Sequence, residues 1–126
     1  MLDHVINLLA QSETHHDWTV EQINRCITPP VNLHQSIGVF EDGLLVAWAS
    51  WAYLSEEMSD MFLEGDYKIQ PEDWRSGDVL VFMDCVAPFG HCRRIIRMCR
   101  NLFPNQTKAQ WRRHQKQRRF GVTVHG

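Results

Sequence analysis

Two residues of this 126-residue chain stand where proton-transfer chemistry would need them: a histidine in a polar loop and a carboxylate inside an apolar strand. The histidine is His15, in Gln11-Ser-Glu-Thr-His15-His16-Asp17, with Ser12 three residues before it. The carboxylate is Asp84, in Asp78-Val-Leu-Val-Phe-Met-Asp84-Cys-Val-Ala-Pro88-Phe-Gly90. An imidazole with a pKa of about 6.5 exchanges protons near neutral pH. A carboxylate in a buried strand costs several kcal/mol unless it is paired or hydrogen-bonded, so Asp84 calls for a partner. A structural ion pair with Arg93 or Arg94 would serve. So would a role as orienting or polarising carboxylate beside an active-site histidine. The His15-His16 pair also reads as a solvent-exposed pair without a function. A metal site is not expected, because adjacent histidines rarely point at one ion and no His-x-His or His-x-x-x-His lies near them.

The elements that must position these groups follow from periodicity. Leu2, Val5, Ile6 and Leu9 recur at helical spacing and predict a helix over 2–10. Thr19 and Gln22 stand in capping-box register, with Trp18 and Ile23 at the staple positions, so the loop carrying His15 is tied down at its C-terminal end. Pro29-Pro30 ends the second helix. Ile37–Phe40 and Leu44–Trp48 flank Glu41-Asp42-Gly43 and predict a hairpin whose second strand can run on to Tyr53. Ser55 caps a short helix with Met58, Met61 and Phe62 on one face, and a loop from Lys68 to Ser76 leads to the strand Asp78–Val86. That strand stops at Pro88-Phe89-Gly90, and a helix with Cys92, Ile95, Ile96, Cys99, Leu102 and Phe103 along one side runs to Pro104. Residues 108–119 are ambiguous between helix and strand plus loop, and 120–126 read as extended. The order predicts an α/β or α+β fold, a mostly antiparallel central sheet with one layer of helices against it.

The totals set bounds. The length suits one domain over 1–126, and 44% hydrophobic residues with 10% aromatic describe a globular chain, not a disordered one. The longest near-apolar run, Leu44–Leu54, is interrupted by Ser50 and is too short to span a bilayer. Met1-Leu-Asp-His-Val has no signal-peptide pattern, so a cytoplasmic protein is expected. None of Cys26, Cys85, Cys92 and Cys99 forms a C-x-x-C pair, which favours reduced, mostly buried thiols. The net charge of −2 hides a division: residues 1–90 carry three bases and all 15 acids, a balance of −12, while 91–126 carry ten bases and no acid, +10. Such asymmetry fits a subunit contact or an acidic partner, either nucleic acid or an acidic carrier protein.

His15-His-Asp-Trp18, Ser50-Trp-Ala-Tyr-Leu-Ser55, Glu72-Asp-Trp-Arg-Ser-Gly-Asp78 and Asp84-Cys-Val-Ala-Pro-Phe-Gly90, with Phe103-Pro104 beyond, come in one order and spacing. In these motifs the chain resembles the toxin-activating lysine acyltransferases, the hemolysin-activating type that modifies RTX toxins. The resemblance runs from about Ser12 to the C-terminus and is that of a short member lacking the family's C-terminal segment. It implies a GNAT-like acyltransferase fold, a homodimer, no permanently bound cofactor, and acyl-carrier protein as donor through its phosphopantetheine thioester. It also implies transfer of a fatty acyl group to lysine ε-amines of a protein substrate such as an RTX protoxin. The family's catalytic histidine falls on His15, its catalytic aspartate on Asp84 and its important serine on Ser12. Gly90, Arg93 and Arg94, at the helix N-terminus, are the expected seat of the phosphopantetheine phosphate. The alternative is a catalytically inactive GNAT-like binding protein that uses its basic C-terminal face for nucleic acid or an acidic protein.

Overall fold

The computed structural model describes residues 1–103 together with the backbone of Gln110 and Trp111. Its centre is an antiparallel meander of β1 (Ser36–Glu41), β2 (Leu44–Leu54) and β3 (Val79–Val86). The two-residue strand β4 (Gln110–Trp111) pairs parallel to the outer side of β3 at Val81 and Phe82. Asp42 and Gly43 join β1 to β2 with φ of 52° and 79°. Two consecutive positive φ values define the turn whose twist matches paired strands, and Asp-Gly enters it at low cost.

Both faces of the sheet are covered, and this explains why β2 is an almost unbroken apolar run rather than an alternating one. On one face α5 (Cys92–Leu102) sets Ile95 and Cys99 against Val39, Ala47, Ala49, Trp51, Leu80 and Phe82. On the other face α1 (Leu2–Leu9) packs Val5, Leu8 and Leu9 on Leu45, Trp48 and Val86. Beside it α4 (Glu56–Glu64) brings Phe62 and Leu63 to Ala52, Leu54, Val81 and Met83. The mixed α/β class with a mostly antiparallel sheet is as expected; the single layer of helices is not, because the α5 stripe needs the opposite face.

Other boundaries differ in detail. In α1 Leu8 is buried along with Val5 and Leu9, while Ile6 is exposed. Helix α2 (Val20–Cys26) ends before the prolines, and Pro29 and Pro30 sit in the first turn of a separate short helix, α3 (Thr28–Asn32). A missing N–H costs little in a first turn, where it would have no helical acceptor. Ser55 caps α4 by accepting from Met58 N at 3.1 Å. Buried Gln35, just before β1, donates to the carbonyls of Trp51 in β2 and Trp74 in the loop before β3 and accepts from Arg75, fastening that loop to β2. Pro104 and residues 120–126 lie outside the described residues, and of the ambiguous stretch 108–119 only Gln110–Trp111 is described, as strand. No described helix is long and apolar enough to cross a membrane.

Candidate active site

The histidine loop is built from short-range bonds. Ser12 N donates to the Leu9 carbonyl as α1 ends, and His15 N and His16 N both donate back to the Ser12 carbonyl at 3.2 and 2.9 Å. Trp18 N then donates to the His15 carbonyl at 3.1 Å. The expected capping box closes the segment: Gln22 N donates to Thr19 Oγ1 at 3.2 Å and Thr19 N to Gln22 Oε1 at 2.8 Å. Trp18 and Ile23 both pack against the core formed by α1 and β2. Each backbone bond restrains the loop, so the direction of its side chains is fixed by the same geometry that ends α1 and starts α2. His16 points to solvent, whereas His15 is only 4% exposed, with its ring 4.7 Å from that of Trp18. The two histidines are therefore not an exposed pair.

Asp84 is aimed by a break in strand alternation. Leu80 and Phe82 face α5, and Val81 and Met83 face the α1–α4 side. Strict alternation would send Asp84 toward α5 as well. Instead Trp51 pairs with Phe82 and Ser50 with Asp84, which leaves Met83 as the extra residue of a β-bulge. Beyond it Cys85 packs on the α5 side and Val86 on the α1 side. Asp84 thereby joins the α1 face, opposite Ser50.

The bulge brings the three expected catalytic residues together. Ser12 Oγ lies 2.7 Å from His15 Nδ1, a buried hydrogen bond, and His15 Nε2 lies 3.8 Å from Asp84 Oδ1. The second separation is too long for a hydrogen bond and short enough for strong electrostatic attraction whenever the imidazole carries a proton on both nitrogens. Asp84 is 3% exposed. Of the two readings of Asp84, the one beside a histidine matches the geometry: His15 faces it, while Arg94 reaches Glu41 at 3.6 Å. A Ser–His–Asp series of this kind can act in two ways. If Ser12 accepts Nδ1–H, the Nε2 lone pair is available as a base; if Ser12 donates, Nε2–H points toward the carboxylate.

Ser50 was not among the expected site residues. It is fully buried, it is the cross-strand neighbour of Asp84, and its Oγ has no hydrogen-bond partner among the described residues. The signal was present in the sequence: Ser50 interrupts the apolar run Leu44–Leu54 just as Asp84 interrupts its own strand.

The expected donor seat follows Asp84 directly in the chain, at the turn between β3 and α5. Ala87–Gly90 forms a turn, with Gly90 N donating to the Ala87 carbonyl at 3.4 Å and Gly90 at φ 93°, a conformation that strains any residue with a Cβ. Gly90, Arg93 and Arg94 are exposed at the start of α5, whose N-cap is His91. Glu41, at the end of β1, already places its carboxylate 3.3 Å from His91 Nε2 as well as beside Arg94. A phosphate bound here would share its cations with Glu41. Of the cysteines, Cys99 is buried, Cys26 and Cys85 are half-buried and Cys92 is exposed, so burial is less general than expected. Burial pushes the Cys99 thiol up to about 12 and, together with neighbouring Cys92, raises that of Cys85 further. Thiols so shifted stay protonated and unreactive at neutral pH. Among the described residues no three His, Cys, Asp or Glu side chains converge as metal ligands.

Comparison with known proteins bears on this arrangement. The family model described as the RTX toxin acyltransferase family matches residues 1–125. The leukotoxin-activating lysine-acyltransferase LktC of Mannheimia haemolytica serotype A1 is 28% identical over 121 residues, covering 96% of this chain and 72% of the relative. LtxC of Aggregatibacter actinomycetemcomitans, also a leukotoxin-activating lysine-acyltransferase, is 35% identical over 104 residues, covering 82% and 62%. The protein-lysine myristoyltransferase HlyC of Escherichia coli is 34% identical over 106 residues, covering 84% and 61%. The matched part thus spans less than two-thirds of the length of the latter two relatives. The family model takes in His15, Asp84, Ser12 and the turn at Gly90 together, and the chain belongs to the RTX toxin acyltransferase family.

Proposed function

We propose that this chain is a protein-lysine acyltransferase that moves a fatty acyl group from acyl-carrier protein to the ε-amine of lysines in a protein substrate of the RTX-toxin kind. The observation that carries the reading is the buried Ser12–His15–Asp84 series, 2.7 Å and 3.8 Å between its members. A lysine amine, with a pKa of about 10.4, is neutral in only roughly one molecule in 2,500 at pH 7, so it needs a base before it can attack. With Ser12 accepting Nδ1–H, His15 Nε2 takes the proton, a contribution of about 10²–10⁴-fold in rate. The nitrogen attacks the thioester carbonyl; the C–N bond forms and the C–S bond breaks, and of the two protons the ammonium gives up, one leaves with the thiol and the other passes from His15 to water. Asp84 stabilises the positive charge, first on the amine and then on the imidazole.

The reading includes a GNAT-like single domain, to which the antiparallel meander and the strand–turn–helix at Val79–Leu102 lend support. It also includes a homodimer and a cytoplasmic site of action, where acyl-carrier protein is found. Gly90, Arg93 and Arg94 would meet the phosphopantetheine phosphate, and exposed Arg93, Arg94, Arg97 and Arg100 give an acidic carrier a basic face to dock on.

Incubation with acyl-carrier protein bearing a labelled acyl chain, plus a lysine-containing protein substrate, tests the reading. Label should appear on lysine and disappear with His15→Ala. A folded sample that labels no protein yet binds DNA or RNA with steep salt dependence would replace it with the binding alternative.

A further inference from the structure

The proposed mechanism assigns no task to Ser50, yet its environment is unusual. The residue is 0% exposed, and its hydroxyl lacks a hydrogen-bond partner among the described residues. A buried hydroxyl left unbonded is disfavoured, and native folds retain few of them without a reason. Its position supplies one. Directly opposed residues in an antiparallel pair project to the same face with their Cβ atoms only about 5 Å apart, so Ser50 and Asp84 point the same way. The bulge after Ser50 is the feature that puts Asp84 there, and His15 Nε2 faces that carboxylate from the loop at 3.8 Å.

We infer that Ser50 Oγ, Asp84 Oδ1 and His15 Nε2 form a three-acceptor cradle for a primary alkylammonium, the protonated end of the substrate lysine. This deepens the proposed function and rests on it. An ammonium carries three N–H donors on one small atom and needs three acceptors around it. Three acceptors on three elements, one of them a carboxylate, match that number and balance the charge. Bonds of about 2.8 Å from one nitrogen to two atoms 3.8 Å apart are geometrically possible, so one ammonium can bridge His15 and Asp84. Ser50 accepts the third N–H. Proton transfer to His15 leaves a neutral amine held by Asp84 and Ser50 as it attacks. A planar guanidinium spreads its donors too widely for such a cradle, which selects lysine over arginine.

The test uses the whole chain and n-butylammonium, followed by NMR shifts of the His15 ring, with N,N,N-trimethylbutylammonium as a cation of equal charge without N–H groups. n-Butylammonium should shift the ring resonances and the trimethyl cation should not. Ser50→Ala should need roughly 10- to 100-fold more n-butylammonium, and should raise KM for the lysine substrate by a similar factor. Ser50→Ala should melt no lower than the parent, since it removes an unbonded hydroxyl; if it fails to fold, Ser50→Cys is read in its place. Equal binding of both cations, or a Ser50 variant that binds n-butylammonium as well as the parent does, overturns the cradle. Lysine acylation that proceeds with unchanged KM in Ser50→Ala would remove the cradle and leave the acyltransferase. Ser50-dependent n-butylammonium binding in a chain that transfers no acyl group would do the reverse.

Discussion

Replacing Asp84 by asparagine separates charge from shape at the centre of the site. The carboxylate lies 3.8 Å from His15 Nε2, and both groups are buried. Unit charges at that separation attract by about 4 kcal/mol at an effective dielectric constant near 20, against about 1 kcal/mol in bulk water. If Asp84 stabilises the cation that forms during transfer, most of the larger figure is lost in Asp84→Asn. Some 1.36 kcal/mol per tenfold then gives a fall of roughly 10²–10³-fold in kcat/KM. Stability should move little or upward, because asparagine fills the same space without a charge to desolvate. Transfer of a labelled acyl group from acyl-carrier protein to a lysine substrate reads the first quantity, and guanidinium melts read the second. The reasoning fails if Asp84→Asn keeps its rate within about fivefold. It also fails if the variant loses the roughly 3–5 kcal/mol typical of a broken buried pair and its activity merely tracks the folded fraction.

Three further outcomes are expected. Ser12→Ala removes the 2.7 Å partner of His15 Nδ1 in a buried setting, so melts should show a loss of about 1–3 kcal/mol, and acyl transfer should fall more than the folded fraction does. Tyr67 donates its O–H to Asp73, which pushes the phenol up to about 12 from its ordinary 10.0. Its contribution to stability is therefore complete below pH 10 and lost as pH rises through 12, and a 295 nm titration should show its ionisation returning toward 10 in Asp73→Asn. Gly90→Ala places a Cβ that meets no atom within 4 Å, so only the φ of 93° opposes it, and a loss of about 1–2 kcal/mol in a thermal melt measures that strain.

Much of the fold was legible because its signals are local. The Thr19–Gln22 box, the Asp42-Gly43 turn and the Ser55 cap each act over a few residues and stand where they were expected; the α5 stripe does so at Ile95, Ile96, Cys99 and Phe103, while Cys92 and Leu102 are exposed. Boundaries shifted where local rules compete. Two prolines compatible with the end of one helix instead began another, and Leu8 rather than Ile6 turned inward because only the packing against β2 selects the face of α1.

The site divides along the same line. From the sequence alone His15 and Asp84 were identifiable by type: a histidine in a loop tied down on its C-terminal side, and a carboxylate too costly to bury idly. Their meeting was not, since 69 positions separate them and strand periodicity directs Asp84 toward α5. The bulge at Met83 reverses that direction, and its existence depends on how β2 and β3 settle against helices on both faces. The same pairing sets Ser50 beside Asp84. Residue chemistry was written in the chain; which side of the sheet that chemistry faces was decided by the register between strands, because side-chain direction alternates with every residue and one extra residue inverts it.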